Sequence, residues 1–518
     1  MAAFKAAIFK YTHLYMELPM ITAQEAAAYI QHQDIVALGG FAPSGTPKAI
    51  VLAIADKARK EHEQDRPFRI NLLTGASIAD SSDGALAEAE AVDRRFPFCA
   101  SRAIRSAYNK GKVKFADPNL SQHASLMRQG VYGVPDWGIL EAAVIEKHGD
   151  VCHVYPTTGV GVAPTICRLA DKGIFIELNE WHGNAVCGLH DIYEIENIGS
   201  RTTVGITSPM QCIGRPYLEV ETSRIKGVVE CCMPDEPSAI NNPGETTELM
   251  GAHVAEFIQW NMDKGILDKN HLVFQSGVGS VANAVMGAMG RNASIPDFSL
   301  YTEVFQDEPL RLLREGRVKC VSTGALTLSP EDLQALYREI DHYRNRIVVR
   351  PSEISNCPEV IARLGICAMN TALEVDIYGH ANSTKVCGSM MMNGVGGSLD
   401  YTTSAALSIF TCTSTAKDGK ISSIVPFCSH VDHTEHHVDA IVTEYGVADL
   451  RGLVPEERTQ ALIAIAHPDY RPLLEEYCRL SRQKGGQTPH VLSAAFAMHD
   501  TLMRKGDMRL TDWNEYIL

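Results

Sequence analysis

The sequence predicts an α/β protein, built as two tandem related α/β domains with largely parallel sheets and an active site near the domain interface. Three observations predict it. Short apolar runs rich in Val and Ile alternate with helical stretches from the start of the chain, the pattern of parallel strands joined by helices. Each half holds a glycine turn behind a strand, Gly39-Gly-Phe-Ala-Pro-Ser-Gly-Thr-Pro47 and Gln275-Ser-Gly-Val-Gly-Ser-Val-Ala282. Each half also repeats a local pattern. Lys110-Gly-Lys-Val-Lys114 recurs as Glu315-Gly-Arg-Val-Lys319, and a strand ending in Thr occurs as Thr74-Gly75 and again as Thr302-Glu303. The copies differ in the residue after the threonine, where only the second has a carboxylate.

Along the chain, Thr22-x-x-Glu25 is a capping box that opens a helix through residues 26–30. Asp34-Ile-Val-Ala-Leu38 is a short strand that runs into the first glycine turn. Phe68-Arg-Ile-Asn-Leu-Leu-Thr74, Val151-Cys-His-Val-Tyr155, Ile174-Phe-Ile-Glu-Leu178 and Lys226-Gly-Val-Val-Glu230 follow as strands. Residues 230–244 combine Pro, Asn and Gly without periodicity and read as a loop, so the domains are assigned as 1–228 and 229–518, the second carrying Glu303. A helix follows at 248–258. His271-Leu-Val-Phe274 leads into the second glycine turn and a helical run from Asn283. The tail reads as packing helices at 456–465 and 470–482, with apolar residues spaced by three and four.

With 518 residues, 45% of them apolar, the chain can bury a large core across two or more domains. A formal charge of −15 argues against nucleic acid or an anionic membrane as a partner, so any phosphate site must be local. Fourteen cysteines occur without Cys-x-x-Cys spacing, which fits a reducing, cytoplasmic setting better than a disulfide framework. The apolar runs are strand-length, too short to span a membrane. Lys5 and Lys10 precede the first acid, but the segment lacks the Arg and Ser bias of a transit peptide.

Glu303 ends the apolar run Phe298-Ser-Leu-Tyr-Thr-Glu303 downstream of the second glycine turn. Two chemistries want a carboxylate there. Gly277-x-Gly279-x-x-Ala282 has the spacing of a dinucleotide turn, with Glu303 then holding a ribose. Alternatively Glu303 is a covalent nucleophile, with the glycine turn leaving room for a thioester carrier and helix N–H groups polarising a carbonyl. A purely structural turn with an edge carboxylate accounts for the same residues.

Further segments are Gly379-His-Ala-Asn-Ser-Thr-Lys-Val-Cys-Gly388, Met392-Asn-Gly-Val-Gly-Gly-Ser-Leu-Asp400, Ser429-His-Val-Asp-His-Thr-Glu-His-His-Val-Asp439 and Ile441-Val-Thr-Glu-Tyr-Gly-Val-Ala-Asp-Leu-Arg-Gly-Leu453. With them the chain resembles the acetyl-CoA hydrolase/transferase family of class I CoA-transferases over nearly its whole length after Met20, and most of all the succinyl-CoA:acetate CoA-transferase branch. The resemblance implies CoA transfer between a small acyl-CoA and a small carboxylate, through acyl-glutamyl anhydride and glutamyl-CoA thioester intermediates. Acyl-CoA hydrolysis on the same glutamate is the alternative. It also implies a homodimer that uses coenzyme A thioester as substrate and has no prosthetic group.

Carried over residue by residue, the resemblance makes Glu303 the nucleophile, with the Gly397 N–H and the Asn356 side-chain amide as donors to developing oxyanions. Glu444 matches a family active-site glutamate, there to orient substrates or adjust ionisation. For CoA it points to Ser276, Gly277, Val278, Gly279, Ser280, Leu373, Asn393, Gly397 and Lys417, the last a phosphate partner. Read without the family, Gly397 is a turn glycine, Asn356 a cap and Lys417 a solvated loop lysine. Some relatives place an arginine in the loop matching Asp235-Glu-Pro-Ser-Ala239, whereas this chain has none between Arg224 and Arg291. The histidines His430, His433, His436 and His437 have metal-like spacing. Similar runs occur in the family without a metal, so no metal is expected.

Overall fold

The computed structural model describes residues 17–237 and 244–517. The segment with Lys5 and Lys10 and residues 238–243 of the expected loop lie outside them. By internal contact the described residues fall into two compact units. One comprises the described parts of Met1–Ala239 with Ser299–Leu310 and Lys319–Leu364, the other those of Ile240–Phe298 with Arg311–Val318 and Gly365–Leu518. Glu303 and Asn356 thus belong to the first unit. Among the described residues no helix is long and apolar enough to cross a membrane.

The first unit holds a nine-stranded sheet: β1 Ile35–Leu38, β2 Ile70–Leu73, β3 Val92–Phe96, β4 Lys114–Phe115, β5 Trp137–His148, β6 Val151–Pro156, β7 Gly173–Asn179, β8 Leu218–Glu221 and β9 Ile225–Cys231. Its parallel core runs β4-β3-β2-β1-β5-β7-β9. The far half of β5 carries β6 and then β8 antiparallel. β1 is an apolar run, β2 is apolar but for Asn71, and β7 is buried throughout, Glu177 and Asn179 included, as parallel strands between helices are. β9 still pairs with β7 through residue 231, so chain pairing persists past 228. The capping box forms: Glu25 N–H donates to Thr22 Oγ1 at 3.1 Å and Thr22 N–H to Glu25 Oε2 at 2.7 Å.

β5, the central strand, is not apparent from the sequence. Trp137-Gly-Ile-Leu-Glu-Ala-Ala-Val-Ile-Glu-Lys-His148 has no period-two alternation and carries Glu141 amid apolar residues. In the fold Glu141 is buried and its charge is met by Lys48 Nζ at 2.7 Å, which is what permits a carboxylate there.

A second strand set repeats this order. Ile347–Val349, Val318–Leu326 and Phe298–Phe305 follow one another as β4, β3 and β2 do. In the second unit Val273–Ser276, Cys367–Thr371, Leu407–Thr411 and Ala440–Thr443 lie parallel in the order of β1, β5, β7 and β9, with Gly446–Asp449 antiparallel at the edge. The repeat suggested by the two threonines therefore stands, since Thr74 follows β2 and Thr302 lies in its counterpart. The lysine match does not align. Lys114 begins β4, whereas Lys319 lies in the strand equivalent to β3. Two short Gly-x-Val turns before strands look alike because both need the same turn chemistry, not because they occupy the same place.

Candidate active site

Glu303 lies in the strand Phe298–Phe305, half-buried between buried neighbours. The strand continues two residues past it, so the carboxylate is held by regular backbone rather than by a strand end. Thr323 Oγ1 donates to the Glu303 carbonyl at 3.1 Å, and Val304 packs with Phe41, Ala42, Ala76, Leu120 and Ala325. Asn356 Nδ2 donates to Glu303 Oε1 at 2.8 Å.

The asparagine is itself oriented. The Glu303 carboxylate can only accept, so it takes the N–H₂ end of the amide, and Ser355 Oγ, which also reaches the Ser352 carbonyl at 3.3 Å, meets Asn356 Oδ1 at 2.9 Å. Asn356 is fully buried at the C-cap of the turn Ser352–Ser355, after the strand Ile347–Val349. That turn is pinned at its start, where Ser352 N–H donates to the Gly161 carbonyl at 3.0 Å. Gly324 lies between the two groups: a Cβ there would stand 3.0 Å from the Glu303 carbonyl oxygen and 3.1 Å from Ser355 Oγ. Sequence reasoning missed Ser355, Thr323 and Gly324. Only the second-half strand order brings them beside Glu303.

In the second unit, the residues expected to meet CoA sit at or after the carboxyl ends of successive parallel strands, the usual place for ligands in such sheets. Ser276 ends one strand, Leu373 follows Thr371, Lys417 follows Thr411 and Glu444 follows Thr443. The turn at Gly277-Val278-Gly279 leads into the helix Ser280–Arg291 as the sequence predicts. Gly279 has φ 106°, a conformation that favours glycine. Gly277 N–H donates to the Met369 carbonyl at 3.1 Å, with Val278 exposed. Among the described residues no side chain caps the helix start.

Asn393 and Gly397 share one loop. Asn393 Nδ2 donates to the Ser383 carbonyl at 3.0 Å and to the Gly394 carbonyl at 2.9 Å. Gly397 is the N-cap of the helix Ser398–Ser404, with an ordinary φ of −92°. Leu373 N–H donates to the Asn382 carbonyl at 2.8 Å. Lys417 is exposed on a hairpin turn between Thr415–Ala416 and Ile421–Ser422. Glu444 is bound up with that hairpin: its Oε2 accepts Ser414 N–H at 2.9 Å and its Oε1 accepts Ser414 Oγ at 2.5 Å. This is the geometry of a residue that holds the Lys417 loop.

One polar cluster was invisible in the sequence. Lys48 Nζ lies 2.7 Å from Glu141 and 2.9 Å from Asp235, all buried, with Thr158 donating to Asp235. Burial opposes the Lys48 charge, but Asp235 and Glu141 outweigh it and hold the ammonium above its usual pKa. His182 Nε2 stands 3.5 Å from Glu141. Glu141, His182 and Asp235 could gather donor atoms around a metal ion, as could Glu146, His148 and His153, but in the first group Lys48 already supplies the cation. The 430–437 histidines diverge. His433 is fully buried, while His436 is exposed.

Comparison with known proteins identifies the family. A family model described as the Acetyl-CoA hydrolase/transferase N-terminal domain matches residues 10–200, and its C-terminal domain counterpart matches 333–478. A propanoyl-CoA:succinate CoA transferase of Escherichia coli is 43% identical, over 94% of this chain and 98% of its own. A succinyl-CoA:acetate CoA-transferase of Clostridium kluyveri is 40% identical, over 96% and 91%. An acetyl-CoA hydrolase of Schizosaccharomyces pombe is 37% identical, over 94% and 95%. Among solved structures, a 4-hydroxybutyrate CoA-transferase from Porphyromonas gingivalis shares the fold at a TM-score of 0.58 and 21% identity, covering 91% of this chain and 99% of that one.

Proposed function

Because this chain belongs to the acetyl-CoA hydrolase/transferase family, we propose that it transfers CoA between a small acyl-CoA and a small carboxylate, succinyl-CoA and acetate first, with Glu303 as nucleophile. The observation that carries this is the Asn356 amide held on Glu303 Oε1. A Glu303 oxygen attacks the thioester carbonyl, the C–S bond breaks and CoA thiolate leaves, giving an acyl-glutamyl anhydride. The thiolate then attacks the Glu303 carboxyl carbon, releases the donor acid and leaves a glutamyl-CoA thioester. The acceptor carboxylate attacks that carbon, forming a new anhydride and thiolate. Return of the thiolate to the acyl carbon yields the new acyl-CoA and restores Glu303.

In the steps on the Glu303 carbon, the oxygen facing Asn356 becomes the oxyanion. A neutral amide suits this role. It strengthens its hydrogen bond as charge grows on a carbonyl oxygen, yet adds no full charge that would over-stabilise the resting carboxylate. Gly397 N–H is assigned the acyl oxyanion, and the 276–280 turn, Leu373, Asn393 and Lys417 the CoA, with Glu444 holding the Lys417 loop. We further assign a cytoplasmic homodimer without a prosthetic group, in keeping with fourteen free thiols.

A second reading, hydrolysis by water opening the glutamyl thioester, is favoured by the likeness to the Schizosaccharomyces pombe acetyl-CoA hydrolase. Measuring CoA release from succinyl-CoA with and without acetate separates the two. Transfer requires acetyl-CoA to appear only when acetate is present. Glu303→Ala should abolish either activity while CoA binding remains, and borohydride trapping after acyl-CoA should mark Glu303. A mark on a cysteine, or retained turnover in the alanine variant, removes Glu303 from the mechanism.

A further inference from the structure

The 430–437 histidines are the one sequence feature that the proposed reaction leaves without a role. His433 differs from the other three in where it sits. Its backbone is locked to residue 381, with Ala381 N–H donating to the His433 carbonyl at 2.8 Å and His433 N–H returning to the Ala381 carbonyl at 3.0 Å. Its ring rests on Phe410, centroids 4.7 Å apart. Nε2 reaches Ser398 Oγ at 3.2 Å and Ser383 Oγ at 3.4 Å.

Those two serines hold the two ends of the 393–397 loop. At its start, the Ser383 carbonyl accepts Asn393 Nδ2 at 3.0 Å. At its end, Ser398 Oγ donates to the Val395 carbonyl at 2.8 Å and begins the helix capped by Gly397. Ser383 is held in turn by Asp432, whose Oδ2 accepts its N–H at 2.7 Å and its hydroxyl at 3.4 Å.

Proton counting fixes the direction of the histidine contacts. A serine has one hydroxyl proton. The Val395 carbonyl can only accept, so Ser398 spends its proton there, and Ser383 spends its own on the Asp432 carboxylate. Both oxygens are therefore left as acceptors, and His433 Nε2 is the shared donor. The neutral tautomer this requires leaves Nδ1 as a bare acceptor, and Nδ1 has no hydrogen-bond partner among the described residues. Burial, opposed by Asp432 and assisted by His437, pushes the imidazole down to about 4, so the ring stays neutral near pH 7.

We propose that His433 is a positioning residue for CoA transfer: its single Nε2–H clamps Ser383 to Ser398 and so sets where the 393–397 loop presents the Gly397 N–H. This rests on the reaction proposed above. A clamp on a donor loop acts on the reacting geometry more than on binding, because a misplacement of about 1 Å costs on the order of a hundredfold in rate.

The test compares His433→Leu, which keeps apolar bulk but removes the donor, with His433→Gln, whose amide restores an N–H. Turnover of succinyl-CoA with acetate is measured together with deuterium uptake of the 393–398 amides. Leucine should raise uptake there and lower kcat about tenfold to a hundredfold, with KM for succinyl-CoA changed less than about threefold; glutamine should recover most of both losses. Leucine at wild-type kcat and uptake overturns the proposal, as does glutamine no better than leucine. Should the leucine variant not fold, Ser383→Ala, which removes one acceptor while its N–H to Asp432 and its carbonyl to Asn393 remain, should show the same kcat loss and raised uptake, and wild-type behaviour overturns the clamp. Failure of the underlying reaction looks different: the wild type then shows no Glu303-dependent turnover, and unchanged amide uptake in the variants by itself refutes the clamp.

Discussion

At the scale of single residues, the proposed site depends on one amide facing the right way. Ser355 holds the oxygen end of Asn356 and Gly324 leaves the space in which Glu303 and Ser355 approach each other. Asn356→Ala should lower turnover by about a hundredfold to a thousandfold, the scale of losing one preorganised oxyanion donor, without weakening CoA affinity, since the lost interaction belongs to the Glu303 carbon. Gly324→Ala tests the packing beneath it. The added methyl must displace either the Glu303 carbonyl or Ser355, so turnover should fall although no functional group is removed. Steady-state kinetics beside a CoA titration reads both variants, and an Asn356→Ala variant with wild-type turnover would leave that hydrogen bond a purely structural contact.

At the scale of the element, the Lys417 hairpin is where the proposed CoA contact meets backbone geometry. Lys417 and Asp418 have φ of 49° and 56° ahead of Gly419 at 78°, and two successive non-glycine residues in this region mark a turn held by its surroundings. Part of that hold comes from Glu444, which anchors Ser414 at the base of the hairpin. Replacing Lys417 by alanine would confound charge with backbone strain. Lys417→Asn is the cleaner variant, because asparagine tolerates the left-handed region. It should weaken CoA binding by about 1 to 3 kcal/mol and reduce the dependence of Kd on salt. An unchanged Kd at low and high ionic strength would make Lys417 a solvated loop residue, with the phosphates held elsewhere.

Over the whole molecule, buried histidines in both units resist protonation and so lose stability to acid: His123, His190 and His433, each pushed down by burial first. For His123, burial first and then Arg95 push the imidazole down to about 3 from 6.5, against a contact to the Thr74 carbonyl at 2.9 Å. The unfolded chain therefore takes up a proton at this residue near pH 6.5 while the folded chain refuses it until about pH 3. Stability from this group is full above 6.5 and falls as pH drops through that window, by up to about 1.4 kcal/mol per pH unit. His123→Gln keeps a donor for Thr74 and removes the titration. Urea unfolding between pH 6.5 and 4 should show a slope shallower by about one proton; an identical slope would mean that His123 is charged in the fold or neutral in both states.

The sequence by itself determined the α/β class, the capping box, the strands β1, β2, β6, β7 and β9 and the strand position of Glu303, because these rest on short-range patterns: apolar runs, glycine turns and a cap spaced by three. The role proposed for Glu303 came from the resemblance carried by the run from Gly379 to Leu453, since its place after a glycine turn left a ribose-binding and a purely structural reading open, and Asn356 was likewise nameable only through that resemblance. Tertiary structure alone decided the rest. Glu141 makes β5 unreadable until Lys48 is seen beside it, and the lysine repeat is resolved only by strand order. Ser355, Gly324 and the proposed His433 clamp have no local signal, since what matters about them is the partner they face: Ser355 meets the oxygen end of an amide, Gly324 is defined by the atoms a methyl would strike, and His433 reaches residues 383 and 398 that lie far from it in the chain. Hydrogen-bond direction and close approach are properties of pairs brought together by the fold, and a one-dimensional pattern does not contain them.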